Sequence, residues 1–174
     1  MNTPSFPQRK SPRLQGYDYA QNGAYFVTIC THKRQNLFGE ISDAEVELNT
    51  AGCIAQTCWE QIPIHFPKAE LDAFIVMPNH IHGILVIIDD SKQTQYQHEQ
   101  FSKPIAQSLS TIMRSYKSAV TNQINRLFMT ENTPIWQGRF YDHIVRDAQS
   151  LNVLREYIIN NPAQWDEDHF YNIE

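Results

Sequence analysis

The sequence predicts an α+β fold: a ferredoxin-like antiparallel sheet with two helices on one face and an additional C-terminal helix. Three observations predict it. The elements run strand, helix, strand, strand, helix, strand, helix; two strands meet in a tight hairpin between residues 71 and 88; and the two internal helical stretches carry apolar stripes that need a sheet to cover.

The elements follow in order. Residues 1–20, rich in Pro, Gln, Arg and Ser, read as an extended N-terminal arm, and residues 21–174 as one domain. Asn22-Gly23 is a turn signal, after which Tyr25-Phe-Val-Thr-Ile-Cys-Thr31 is β-branched and aromatic, as a strand should be. Asn49 or Thr50 can cap a helix with Ala51, Ile54, Cys58 and Ile62 at helical spacing, stopped by Pro63. Leu71–Met77 and Ile81–Ile88 flank Pro78-Asn79, a turn-forming pair, so they form an antiparallel hairpin.

Residues 89–103 read as a polar loop. Ile105, Leu109, Ile112, Tyr116, Val120, Ile124 and Leu127 then mark a long amphipathic helix. A strand is expected within Ile135–Val145, with Gly138 as a bulge or bend. The last helix starts after Asp147, a good N-cap, and ends before Pro162, at the other sheet face or an edge, where a sheet-borne active site would stay accessible.

The composition narrows the function. A chain of 174 residues, 41% hydrophobic and 19% charged, has the make-up of one globular core. It contains no apolar run of about 18 residues, and its first residues lack the pattern of a secretory signal. A cytoplasmic protein without a membrane partner is expected. Cys30, Cys53 and Cys58 are an odd number without CxxC spacing, which fits a reducing compartment. The net charge of −5 argues against non-specific coating of nucleic acid. The charge is uneven, however: residues 103–146 hold six basic against two acidic side chains, and a local basic surface remains open to the fold.

Two spacings carry chemistry. In His80-Ile81-His82, side chains alternate across a strand, so both imidazoles project from one face and can share a metal ion. Tyr157 and Asn161 lie four apart on the last helix and can address one point in space.

Longer segments add a resemblance. Val76-Met-Pro-Asn-His-Ile-His-Gly-Ile84, Ile135-Trp-Gln-Gly-Arg-Phe-Tyr-Asp-His-Ile-Val-Arg146 and Leu154-Arg-Glu-Tyr-Ile-Ile-Asn-Asn-Pro162 resemble, in order, segments of the REP-associated tyrosine transposases, a family of HUH nucleases. Gly16-Tyr-Asp-Tyr19 and the first strand extend the likeness over nearly the whole chain.

The resemblance implies a single HUH domain that nicks and rejoins single-stranded or hairpin DNA at REP-like elements through a 5′-phosphotyrosine. It implies Mg2+ or Mn2+ as cofactor, His80, His82 and Asn161 as metal ligands, with Asn160 as fallback for the third, and Tyr157 as nucleophile. Insertion-sequence relatives usually place Gln where Asn161 stands. Tyr141 and His143 are read as structural or DNA-contacting, with Tyr141 the second choice of nucleophile. The protein would act as a monomer or homodimer. The alternative is a ferredoxin-like, RRM-like module that binds single-stranded nucleic acid without metal or catalysis.

Overall fold

A computed structural model describes residues 19–88, 105–130 and 132–167. Strand β1 (Gly23–Cys30) is followed by a small hairpin, β2 (Gly39–Ser42) and β3 (Glu45–Leu48), then by helices α1 (Thr50–Glu60) and α2 (Ile62–His65). Strands β4 (Ala69–Met77) and β5 (His80–Ile87), helix α3 (Leu109–Leu127), strand β6 (Tyr141–Val145) and helix α4 (Ala148–Asn160) complete the order, ahead of a 3-10 turn at Pro162–Glu167.

The main sheet has the order β4-β5-β1-β6, and each neighbouring pair is antiparallel. This is the ferredoxin-like α+β arrangement expected from the sequence. One face, built from Tyr25, Val27, Ile29, Ile81 and Leu85, packs under α1 and α3 and forms the main core with Trp59, Ile112, Met113 and Tyr116. The opposite face, built around Phe26 and Ile84, is covered by Leu151, Leu154, Tyr157 and Ile158 of α4.

Several expectations are refined for local reasons. Pro63 does not stop the first helix: α1 ends at Glu60, and Pro63 sits in the first turn of α2, where its missing N–H costs nothing. Helix α3 begins at Leu109 rather than Ile105, because Ser108 caps it by accepting from Thr111 N. The strand sought in Ile135–Val145 is split into a single bridge, Trp136 to Thr31, and β6. Between them Lys117 Nζ donates to the carbonyls of Gln137 (2.7 Å) and Gly138 (3.2 Å), satisfying groups that a ladder would otherwise use.

The β2–β3 hairpin has no counterpart among the expected elements, because Asp43-Ala44 turns the chain at positive φ (51° and 63°) without the Asn-Gly or Asp-Gly signal. The polar stretch 89–103 lies outside the described residues, as do residues 1–18 of the expected arm. Tyr19 is buried in the core, and its carbonyl accepts from Leu109 N. Among the described residues, no helix is long and apolar enough to cross a membrane.

Candidate active site

The site begins with strand alternation. Thr28 of β1 lies directly opposite His82 of β5, and Cys30 opposite His80, so Thr28, Cys30, His80 and His82 share the face that α4 covers. Ile81, between the histidines, enters the main core on the other side. Pro78-Asn79 makes the turn that starts β5, which places Asn79 beside the first imidazole.

The histidines converge. His80 Nε2 and His82 Nε2 are 3.0 Å apart, with ring centroids at 4.4 Å. Their outer nitrogens are both held: His80 Nδ1 lies 2.8 Å from Asn79 Oδ1, and His82 Nδ1 lies 2.8 Å from Thr28 Oγ1. An amide oxygen only accepts, so His80 Nδ1 donates to it, and in the neutral imidazole Nε2 then presents a lone pair. The Thr28 hydroxyl can donate or accept and therefore serves either tautomer of His82.

Helix α4 brings in the third group. Asp147 caps it, with Oδ1 accepting from Ser150 N (2.7 Å) and Oδ2 from Ser150 Oγ (2.9 Å). These bonds hold the Asp147 carboxyl below the usual aspartate range. Further along the helix, the hydroxyl of the half-buried Tyr157 stands 3.3 Å from His82 Nε2. The Tyr157 ring packs edge-on to Phe26, which itself stacks on His82. Asn161 ends the helix at 1% exposure, and its Oδ1 is buried. One further turn along, Trp165 stacks against His80 with ring centroids 6.0 Å apart.

A clamp fixes α4 to the sheet. Arg155, two residues before Tyr157, donates from Nε to Asp72 Oδ1 (2.8 Å) and from Nη2 to Asp72 Oδ2 (2.6 Å). Asp72 stands in the irregular stretch of β4, between Leu71 and Phe74, where the register shifts, and Oδ1 also accepts from Ala73 N. The Arg155 side chain holds the Asp72 carboxyl below its ordinary range.

The predicted residues thus fall into two groups. His80, His82 and Tyr157 are in contact, while Asn161 is buried one helical turn from Tyr157. Asn160 is exposed. Tyr141 and His143 are also exposed and lie on β6, separated from β5 by β1. The histidine face is more enclosed than the sequence suggests: His80 is 0% and His82 1% exposed, because α4 and the Trp165 turn lie over them.

Sequence reasoning did not single out Thr28 and Asn79 as partners of the histidines, or Trp165 as a lining residue. Alternation in β1 and adjacency to His80 were the available signals for the first two. Nothing local marks Trp165.

Convergent imidazole nitrogens fit a divalent cation, since metal–nitrogen distances of about 2.0–2.1 Å bring two ligating nitrogens roughly 3 Å apart. Among the described residues no three His, Cys, Asp or Glu side chains gather into a metal site. A third protein donor beside this pair would therefore be of another kind, such as an amide oxygen.

No family model matches the chain. An uncharacterized protein of Haemophilus influenzae is 38% identical over 169 residues, spanning 94% of this chain and 93% of that one. A second H. influenzae protein, provisionally named a REP-associated tyrosine transposase, is 26% identical over 84% of this chain and 74% of its own length. Among solved structures, a REP-associated tyrosine transposase bound to a REP hairpin shares the fold, with a TM-score of 0.61 and 21% identity over 88% of this chain and 73% of that one. The named relative, the fold and the ordered sequence segments agree in likening the chain to the REP-associated tyrosine transposases.

Proposed function

We propose that the protein is a metal-dependent single-stranded DNA endonuclease and strand transferase that acts on hairpin DNA through a covalent 5′-phosphotyrosine on Tyr157. The observation that carries this reading is the Tyr157 hydroxyl 3.3 Å from His82 Nε2, with that nitrogen 3.0 Å from His80 Nε2. A nucleophile and two convergent nitrogen ligands on one sheet face suit phosphodiester chemistry.

In this reading His80, His82 and the Asn161 amide oxygen hold Mg2+ or Mn2+. When bound, the cation withdraws charge from the phosphate and leaves coordination positions open to it. Asn79 and Thr28 keep the imidazoles aimed, as outer partners of metal-binding histidines do. Phe26 and α4 fix the phenol, which reduces the freedom it loses on reaction.

The Tyr157 oxygen attacks phosphorus. The phosphorus–3′-oxygen bond breaks, the phenol gives up its proton, and the departing 3′-oxygen takes one up. The phosphate stays esterified on the tyrosine with its 5′ side. Attack by a second 3′-hydroxyl reverses the sequence and releases the phenol, a far better leaving group than an aliphatic alcohol because its ordinary pKa is near 10. No external energy source enters. The hairpin held by the solved family member supports a folded DNA substrate for this chain as well.

A metal-free base-stacking module needs an open sheet centre. Here α4 covers that centre, and Phe26 is only 6% exposed.

Incubation with single-stranded DNA hairpins and Mn2+, followed by denaturing electrophoresis, tests the reading. Wild-type protein is expected to form a covalent adduct, and Tyr157→Phe to form none while still binding hairpin and metal. Wild-type cleavage rates in Tyr157→Phe would assign the nucleophile to Tyr141 or water instead.

A further inference from the structure

We propose that Arg139, Tyr141 and His143, at the open edge of the sheet, form the track for the unpaired nucleotides next to the reacting phosphate. The proposal rests on the strand-transfer reading and assigns part of its substrate to a surface.

Helix α4 covers only part of its face. Its apolar residues sit on Phe26, Ile84, Ala73 and Ile75, toward β4 and β5, and reach β6 only at Val145. On this face of β6, Tyr141 is 54% exposed and His143 is exposed, as is Arg139 just before the strand.

Register ties this edge to the site. Thr28 faces His82 on one side and Tyr141 on the other, so the three lie in one row and point to one face. The row spans two strand spacings, roughly 10 Å, between Tyr141 and His82. His143 stands in the row of Phe26, two residues further along β6. A strand leaving the histidine pair in this direction meets Tyr141 first.

The chemistry selects the occupant. An exposed phenol ring on a strand offers a stacking surface, and only an unpaired base has a free face to place on it. Arg139, two residues before Tyr141, is exposed and can meet a backbone phosphate. The nearby acids are directed elsewhere: Asp142 pairs with Val27 and shares the opposite face, and both oxygens of Asp147 are engaged by Ser150. What this edge presents is aromatic and cationic.

Two synthetic DNA hairpins with the same stem test the track, one blunt and one with an oligothymidine flank. Tyr141→Ala should weaken the flanked hairpin about tenfold, as expected for one lost base stack, and leave the blunt one unchanged. Tyr141→Phe should bind as wild type, since the ring alone stacks. The proposal fails if Tyr141→Ala binds the flanked hairpin normally, if it loses both hairpins equally, or if wild type does not prefer the flanked one. Tighter binding of an RNA flank than of the DNA flank would overturn the assignment to DNA. Loss of the Tyr157 adduct with Tyr141-dependent flank binding intact would refute strand transfer alone, so the two failures are separable.

Discussion

The two faces of the sheet are made by the same strands, one residue apart, and they have opposite characters. The face under α1 and α3 carries Tyr25, Val27, Ile29, Ile81 and Leu85, all of them in the main apolar core. The face under α4 interleaves Thr28, His80 and His82 with Phe26 and Ile84, and every one of these polar groups is buried. A buried polar atom without a partner is costly, so the second face is tolerable only because its groups hold one another. The main core lies on one side, and the proposed chemistry on the other.

The largest effect expected from disturbing this division lies on the folding face. Gly83 points at Trp59, and a Cβ there would stand 2.4 Å from the indole. That indole cannot give way: it stacks on Phe74 at 4.6 Å and meets Tyr116 edge-on. Gly83→Ala should therefore cost about 3 kcal/mol, read as a lower denaturant midpoint with unchanged slope. A wild-type midpoint would show that the helix layer is looser than its packing suggests.

On the face proposed to hold the metal the expected change is in ligand affinity. Thr28→Val keeps the shape but removes the hydroxyl that holds His82 Nδ1. Mn2+ affinity should fall on the order of tenfold, measured by calorimetry. Unchanged affinity would mean that packing against Phe26 alone orients the ring.

The smallest effect concerns the clamp that joins α4 to the sheet. The Asp72 carboxyl is depressed in the fold by Arg155, so its contribution is full above the unfolded carboxylate value, about 4, and is lost as pH falls through the lower native one. Amide exchange in residues 148–160 should accelerate over that acid range in wild type. In Asp72→Asn it should be faster at neutral pH and lack this step, while β5 stays protected in both. An identical acid profile in the variant would place the acid-sensitive group elsewhere.

Much of this arrangement is legible in residue order. Alternation along β5 puts both histidines on one face, and the Asp147 cap and Pro162 bound α4 closely. The hidden parts depend on partners distant in sequence. Thr28 is 54 residues from His82 and Arg155 is 83 from Asp72, and no local pattern marks either pair. The β2–β3 hairpin is hidden for a different reason, since Ala44 is an unusual residue at positive φ and gives no turn signal.

The sequence by itself determined the order of the four main-sheet strands and the three long helices, the ferredoxin-like class, the shared face of His80 and His82, and the four-residue step from Tyr157 to Asn161. These follow from the periods of two and 3.6 residues, which are properties of the backbone. Only the tertiary structure decided that α4 lies across the histidine face, bringing the phenol to His82 and leaving Tyr141 open at the edge. A helix has one apolar stripe but many surfaces on which to lay it. The choice is made by the sum of Phe26, Ile84 and the Arg155–Asp72 clamp, contacts that exist only once the sheet has formed.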